Sequence, residues 1–261
     1  MHPALRAIGY GDSLRDKAVI AAHVAAVGAF PVGIAARKAG RPIPDPRAKL
    51  GGYKVRGPAG VFACPASSKP YFVEVGHGYE PGMCRVVEEL EGGVFVDVGA
   101  SVGFIAARAA RRAERVFAIE PHPVRFEYLE RNVEMNGLTN VTCFQCALGS
   151  RSEGSIVLYD LDPSLGPHRL DASTKPGPGE RFEVPLRRLD DLVEGEVSLL
   201  KIDVEGAELD VLAGAERLLE SRPRIIVESQ RHRTLPDLRR LLPTYSFVEI
   251  DTDNFLASPA A

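Results

Sequence analysis

From Val94 onward, short apolar segments alternate with stretches that have the periodicity of amphipathic helices. The apolar segments are nearly continuous in hydrophobic residues, as expected for strands covered on both faces. Such alternation is typical of βαβ units, whose strands run parallel in one sheet. The sequence therefore predicts an α/β fold with a doubly wound, mostly parallel sheet. The predicted strands are residues 94–98, 116–119, 141–145, 199–202 and 225–227, and the predicted helices are 102–112, 123–136 and 207–220.

Residues 149–189 interrupt this alternation, and the tail completes it. The insert has two strand-like pieces around a loop rich in Pro, Gly and Ser, at residues 155–159, 181–186 and 162–180. A loop of this kind has little core of its own, which makes it a candidate substrate lid or a flexible excursion. The tail is predicted to add one helix and a final antiparallel pair of strands, at residues 235–242, 247–250 and 254–257.

The first 78 residues are predicted to form an N-terminal extension of one helix and small strands, and residues 79–261 the main domain. The extension's strands are expected at 53–56, 61–64 and 71–75. The apolar segment 18–36 is long, but Ala and Gly contribute little transfer free energy, and it contains His23 and Pro31. We therefore expect a packed helix or a subunit interface there, which leaves a homo-oligomer open, and a soluble chain without a membrane span.

The amino-acid composition limits the classes of function that are plausible for this chain. The hydrophobic fraction of 45% and the charged fraction of 26% are average for soluble globular proteins. The net charge of −3 lacks the basic character of dedicated nucleic-acid binders, although a local basic patch can lie within a neutral total. Four cysteines are too few for a disulfide framework. Cys143 and Cys146 form a C-x-x-C, but no second pair stands at ligand spacing. We therefore expect core thiols in a reducing cytoplasm.

The segment VFVDVGASVGF, residues 94–104, ends a strand at Asp97 and places Gly99 and Gly103 around a tight turn before a helix. Glycine allows unusual backbone dihedrals and the close approach of a ligand, to which the helix N-terminus presents its amides. The spacing D-x-G-x-x-x-G differs from the G-x-G-x-x-G of dinucleotide sites, which disfavours a pyrophosphate. It suits a sulfonium amino acid that bears a carboxylate, with Asp97 available for the cationic end.

A second acidic residue, Glu120, is predicted at the tip of the next strand, in VFAIEPHP. A carboxylate at this position can accept both hydroxyls of a ribose. The alternative is a surface glutamate that caps the following helix. Because Glu120 follows the turn at 97–103 at the expected distance, the two features together indicate a nucleoside cofactor.

The segment LLKIDVEGAELDVLAGAERLL, residues 199–219, brings charge to the end of another strand. Lys201, Asp203 and Glu205 share one face if the strand continues that far, at the edge where open α/β sheets bind ligands. Two carboxylates and an ammonium at one strand end cost free energy on burial unless they pair with each other or bind a ligand. A functional role is favoured for Asp203. For Lys201 and Glu205, an ion pair that fixes the turn is an equally good explanation.

With AIEPHP, ERNVEMNGLTNV and CALGS, these motifs make the chain similar to the FkbM family of methyltransferases, over roughly residues 79–228. The resemblance implies the Rossmann-like methyltransferase fold with its seven-strand order, S-adenosylmethionine as cofactor, and commonly transfer to a hydroxyl oxygen. Where family members often have Asn, this chain has Ser101. The residues that match the cofactor site are Asp97, Gly99, Ala100, Ser101 and Gly103 in the first loop, Glu120 and Pro121 at the ribose, and Ala147 and Leu148 near the adenine.

Glu80, in GYEP, falls where family members often have an acidic residue. Two interpretations are equally good: Glu80 is expected either to face the methionine end of the cofactor or to stabilise a turn. Asp203 is also expected at the cofactor. If the acceptor is a hydroxyl, a base must take its proton, and the candidates are Asp203, Glu228 and His232. His232 titrates in the useful range, but beside several arginines it is also explained as a solvated surface residue. No His/Cys cluster supports a metal, so none is expected.

The sequence does not identify the methyl acceptor. A small molecule or a glycan is expected, and a peptide stays open. Two other functions stay open as well. One is an RNA methyltransferase that shares the cofactor site, and the other is a non-catalytic protein that keeps the fold and binds the cofactor.

Overall fold

The computed structural model describes residues 8–28, 52–65, 80–160, 180–204, 206–229 and 232–260. The chain divides into two compact units, Met1–Tyr79 and Glu80–Ala261. Several predictions lie outside the described residues: the strand at 71–75, the loop at 162–180 up to residue 179, the second half of the apolar segment 18–36, and Glu205.

The first unit contains one helix and a two-stranded antiparallel sheet. Helix α1 spans Leu14–Gly28, strand β1 Tyr53–Gly57 and strand β2 Gly60–Cys64. Asp16 links them, because one of its carboxylate oxygens accepts from the Lys54 amide at 2.8 Å and the other from the Ser13 amide at 3.2 Å. In the part of the chain that the structure describes, no helix is both long and apolar enough to cross a membrane.

The second unit is built on a seven-stranded sheet. From one edge to the other, its strands are β11 Tyr245–Asp251, β12 Asn254–Pro259, β10 Arg224–Glu228, β9 Val197–Ile202, β3 Val94–Val98, β4 Arg115–Ile119 and β5 Val141–Phe144. Five neighbouring strands run parallel, and the C-terminal hairpin adds two antiparallel strands at one edge. The α/β fold class and the mostly parallel sheet are therefore confirmed.

Helices connect these strands and cover the sheet. They are α2 Pro81–Glu88, α3 Phe104–Ala109, α4 Pro123–Met135, α5 Leu189–Leu192, α6 Glu208–Ala213, α7 Glu216–Glu220 and α8 Leu235–Leu241. The predicted helix at 102–112 begins later, at Phe104, because Gly103 before it is left-handed with a φ of 90°.

The predicted helix at 207–220 is wrong as one element, since it is broken into α6 and α7. The first of these helices ends at Gly214, where a β-carbon would collide with the carbonyl oxygen of Gly149, so only glycine fits at the break. The new N-terminus of α7 is then capped by Asp190, whose carboxylate accepts from the amides of Arg217 and Leu218 at 3.0 Å each.

The core lies on both sides of the parallel strands. All five residues of β3 are buried, and their β-branched and aromatic side chains suit a central strand. Cys64, Cys84 and Cys146 are buried free thiols, as expected. Cys143 is only partly buried, because β5 is the edge strand of the sheet.

The insert forms a second, three-stranded sheet in the order β6-β8-β7. Its strands are β6 Ala147–Leu148, β7 Ser155–Asp160 and β8 Glu180–Arg187. The strands β7 and β8 were predicted to within one residue at each end, whereas β6 is too short to give a pattern. Because β6 pairs with the last residues of β8, the insert is hydrogen-bonded directly to the segment that follows β5.

Candidate functional site

The loop after β3 is held against β4 by backbone hydrogen bonds. The amides of Gly99 and Ala100 both donate to the carbonyl oxygen of Ile119 at 3.0 Å. Gly99 has a φ of 79°, and a β-carbon on it would collide with the carbonyl oxygen of Asp203. The first loop therefore packs directly on the turn after β9, and only glycine fits at this contact.

Ser101 and Gly103 complete the turn. Ser101 also has a positive φ, of 52°. Asn adopts this region more readily than most residues, so an Asn at this position would have the same backbone at a lower cost. Asn132 of α4 is buried and donates to the Val102 carbonyl at 2.8 Å, which fixes the end of the loop. The sequence alone does not reveal this role of Asn132, although the motif ERNVEMNGLTNV contains it.

Glu120 follows β4 and turns its carboxylate toward the first loop. One oxygen, Oε2, accepts from the Ser101 amide at 2.8 Å, and Oε1 accepts from the His122 amide at 2.9 Å. The residue is 4% exposed. Because backbone donors anchor both oxygens, the carboxylate keeps one orientation. A carboxylate has about four lone-pair sites, so each oxygen can still accept from a ligand hydroxyl.

A shallow open pocket lies between the first loop and the start of the insert. Its lining is mostly apolar: Val98, Gly99, Ile119, Pro121, Cys146, Ala147, Leu148 and Val204. Burial raises the pKa of the Cys146 thiol to about 11, so at neutral pH it acts as a small apolar group. Four of the predicted cofactor-site residues therefore line this pocket: Gly99, Pro121, Ala147 and Leu148.

Lys201 crosses from β9 to the first loop. It is paired in register with Asp97 of β3, so the two side chains leave neighbouring strands side by side. The ammonium Nζ lies 3.0 Å from Asp97 Oδ1 and donates to the Gly99 carbonyl at 3.1 Å. It also lies 3.6 Å from Asp203 Oδ2. Burial lowers the pKa of Lys201, but the charges of Asp97 and Asp203 outweigh it, and the pKa is raised.

Asp97 is 0% exposed and Lys201 is 3% exposed. The observed partner of the Asp97 carboxylate is therefore the ammonium of Lys201. Asp203 differs, because its side chain is 34% exposed at the carboxyl edge of the sheet. Of the three charges that end β3 and β9, Asp203 is thus the one that a ligand can reach.

Glu80 lies near the same edge, just before α2. Its backbone is left-handed, with a φ of 53°, and its Oε1 accepts from the side-chain amide of Asn254 at 3.3 Å. Burial, followed by the negative charge of Asp203, raises the pKa of Glu80 to about 7. Glu80 and Asp203 therefore influence each other electrostatically, although they are far apart in the sequence.

Glu208, the second glutamate of the motif VEGAE, is a buried carboxylate that the sequence does not single out. Its Oε1 accepts from the Gly206 amide at 2.8 Å, and burial raises its pKa. It thereby stabilises the turn between β9 and α6. Among the described residues, no group of three or more His, Cys, Asp or Glu side chains is placed to hold a metal ion.

The predicted bases Glu228 and His232 occupy different environments. Glu228 ends β10, next to β9 at the carboxyl edge. The His232 side chain is 52% exposed, and its Nε2 lies 3.5 Å from Glu249 Oε1. Its ring packs edge-on against Phe255, with the centroids 5.1 Å apart. His232 thus lies half-exposed beside Glu249 and Phe255 of the C-terminal hairpin.

The model of the methyltransferase FkbM domain matches residues 97–249, which is more than half of the chain. The chain belongs to the FkbM methyltransferase family. The match begins at Asp97 and includes every predicted site residue except Glu80. In this FkbM-family chain, the first loop, Glu120 and the charged end of β9 therefore lie within the family's own domain.

Two curated relatives show how far the similarity extends. The chain is 31% identical over 145 residues to Methyltransferase 1 of Beauveria bassiana, covering 46% of this chain and 57% of the relative. It is 31% identical over 161 residues to the hexuronic acid methyltransferase AglP of Haloferax volcanii, covering 59% of this chain and 63% of the relative. The FkbM-family chain thus spans about three fifths of the relatives it matches.

The architecture also resembles a solved structure of low sequence identity. Trm5b from Pyrococcus abyssi superposes with a TM-score of 0.50 at 16% identity, covering 79% of this chain and 56% of that chain. At this identity, the similarity establishes the fold that the FkbM-family chain shares with Trm5b and nothing more.

Proposed function

We propose that this chain transfers the methyl group of S-adenosylmethionine to a hydroxyl oxygen of a small molecule or sugar. The observation that carries this is the anchored Glu120 carboxylate beside an apolar pocket, at the carboxyl edge of the sheet. Open α/β sheets bind their ligands at this edge. Because the chain belongs to the FkbM methyltransferase family, we expect the ligand at this edge to be a methyl donor.

The residues present fit each part of this cofactor. Glu120 suits the two ribose hydroxyls, because its carboxylate is already oriented. Pro121, Ala147 and Leu148 offer apolar contact to the adenine. The first loop, with Gly99, Ala100, Ser101 and Gly103, would surround the methionine end. Asp203 and Glu80, at the same edge, would supply negative charge to it, whereas Asp97 would hold the loop through its ion pair with Lys201.

The chain itself must position the acceptor and take up a proton. When bound, S-adenosylmethionine supplies an electrophilic methyl group on a sulfonium. Holding a hydroxyl in line with that methyl lowers the entropic cost of the encounter. Val227 pairs with Ile202, so Asp203 and Glu228 follow at the same level of the sheet edge. We assign proton removal to one of these two carboxylates, and not to His232, which is engaged by Glu249 on the hairpin.

The cofactor part of this proposal predicts micromolar binding of S-adenosylhomocysteine in calorimetric titrations. Glu120→Gln should weaken this binding about 10- to 100-fold, because hydrogen bonds to a charged acceptor contribute about 1.5–3 kcal/mol. In this variant the side-chain NH₂ group would face the backbone amide of either Ser101 or His122, and two donors repel each other. The melting temperature of the variant must therefore be measured together with its affinity.

A change on the ligand separates ribose recognition from damage to the loop. The 2′-deoxy analogue of S-adenosylhomocysteine should bind the wild-type protein about tenfold more weakly than the parent compound. In Glu120→Gln, the two ligands should bind nearly alike. An equal loss in both proteins would show that Glu120 does not contact the ribose.

The acceptor part predicts transfer of radiolabelled methyl to hexuronic acids or simple sugars. Support for a sugar comes from the similarity to a hexuronic acid methyltransferase. The panel should pair each hexuronic acid with the matching neutral sugar, and RNA should be included. Alkali-stable label on both members of a pair indicates a hydroxyl oxygen. Alkali-labile label on the acids alone would indicate a carboxylate and contradict the proposed hydroxyl, and label on RNA would replace the substrate class.

A further inference from the structure

The segment between β4 and α4 is stiff. Its sequence is EPHP, so His122 lies between Pro121 and Pro123. A proline fixes its own φ and restricts the residue before it to extended backbone. His122 accordingly has a φ of −72° and a ψ of 119°. Because the segment has few alternative conformations and the His122 side chain is buried, we expect the amide and the ring of this residue to move together.

His122 contacts both the Glu120 carboxylate and the start of a helix. Its backbone amide donates to Glu120 Oε1 at 2.9 Å, and its ring nitrogen Nδ1 accepts from the Arg125 amide at 3.5 Å. The second contact caps α4. His122 therefore fixes one of the two Glu120 oxygens, while the first loop fixes the other through the Ser101 amide.

The ring of His122 packs on the insert. Its centroid lies 4.9 Å from that of the Phe182 ring, and the two ring planes are inclined at 58°. Tilted aromatic rings at this distance attract each other beyond the effect of the area they bury. Phe182 belongs to β8 and pairs with Leu158 of β7, so the contact comes from the antiparallel part of the insert.

Phe182 lies on the apolar face of the insert. Val184 and Leu186 share this face of β8, and they are buried in one cluster with Ala147, which also lines the pocket. The side chains described on the opposite face of β7 and β8 are exposed. The insert therefore packs on the main domain through its apolar face, at Ala147 beside the pocket and at His122.

We propose that the insert positions the ribose-binding carboxylate of Glu120, with His122 as the positioning residue between them. Phe182 holds the His122 ring, and the stiff segment links the position of that ring to the position of the amide that orients Glu120. This inference rests on the proposed function, since it assumes that Glu120 binds the ribose of S-adenosylmethionine. The insert thus contributes to recognition of the cofactor as well as adjoining its pocket.

Discrimination of the ribose hydroxyl is the measurement that tests this role. For each protein, calorimetry with S-adenosylhomocysteine and its 2′-deoxy analogue gives the ratio of two dissociation constants, about tenfold for the wild type. Phe182→Leu keeps an apolar side chain and removes the ring, so Glu120 loses part of its fixed orientation. The parent ligand should then lose about threefold more affinity than the analogue, which lowers the ratio to about threefold. A merely structural loss would weaken both ligands alike and leave the ratio unchanged.

His122→Asn tests the other side of the contact. Asparagine is a good helix N-cap, so the variant can keep the bond to the Arg125 amide, and the backbone amide that holds Glu120 is still present. The ring is lost, so the ratio should again fall to about threefold. Phe182→Leu combined with His122→Asn should lower it no further, because both substitutions break one contact. Additive effects would refute the role of His122.

Ile156→Val is the matched control. Ile156 is half-buried and packs on the same apolar cluster as Phe182, but it carries no ring to pack on His122. The variant shortens an apolar side chain of the insert, and the wild-type ratio should be retained. A fall equal to that in Phe182→Leu would show that any disturbance of the insert has this effect and would refute the specific contact. Melting temperatures of all variants show whether the fold is retained.

The outcomes separate this inference from the proposed function. If the wild type discriminates between the two ligands and both ring variants keep its ratio, the role of His122 is refuted while the cofactor site stands. If the wild type binds both ligands equally well, Glu120 does not recognise the ribose, and this inference is refuted with that assignment. Absence of binding of either ligand to the wild type would overturn the proposed function and this inference together.

Discussion

Replacing Lys201 by methionine is expected to destabilise the chain by about 3–5 kcal/mol, because it leaves a buried carboxylate without its counter-charge. Asp97 is 0% exposed, and the Lys201 ammonium at 3.0 Å is its observed partner. Methionine fills a similar volume, so the loss is that of the charge and not of packing. The measurement is urea-induced unfolding of the wild type and Lys201→Met at neutral pH.

The double variant distinguishes a buried charge from a general disturbance. Asp97→Asn together with Lys201→Met removes both charges, and a buried pair replaced on both sides costs much less than one broken on a single side. We therefore expect the double variant to be more stable than Lys201→Met alone. In a double-mutant cycle with Asp97→Asn, Lys201→Met and the double variant, strictly additive losses in the free energy of unfolding would show that the two residues act independently. The ion pair would then not determine the stability of this edge.

Most of the fold could be predicted because its signals are local. The five parallel strands are short apolar runs, and the predicted bounds of β3 agree with the structure at both ends. The positions of Asp97, Glu120 and Asp203 followed as well, since residues that end parallel strands meet at one edge of the sheet. The structure adds that the amides of Ser101 and His122 fix the orientation of the Glu120 carboxylate at this edge.

What could not be predicted depends on residues that are distant in the sequence. The break between α6 and α7 coincides with a close approach of Gly214 to Gly149, which no helical pattern contains. The pairing of Lys201 with Asp97 depends on the register of β9 against β3. The environment of Glu80 is likewise built by Asn254, from the opposite end of the domain. Motifs locate charged residues at the edge, whereas register and hairpin packing decide which charges neutralise each other.

Gly99→Ala is expected to cost about 3–4 kcal/mol and to abolish measurable cofactor binding, the second of the two largest effects. A φ of 79° is unfavourable for alanine by about 1–2 kcal/mol. The added β-carbon would also collide with the Asp203 carbonyl oxygen. That oxygen belongs to the backbone and cannot rotate away, so the two loops must separate, at about 1–3 kcal/mol for an overpacked contact. Denaturant unfolding and titration with S-adenosylhomocysteine measure the two losses.

Gly154→Ala provides a matched control for the backbone strain. Gly154 has a φ of 84°, close to that of Gly99, but a β-carbon there would meet nothing within 4 Å. It should therefore cost only about 1–2 kcal/mol and leave cofactor binding intact. The difference between the two variants isolates the contact between the first loop and the turn after β9. If both cost the same, that contact contributes nothing beyond strain. The D-x-G spacing would then reflect only the backbone conformation that the turn requires.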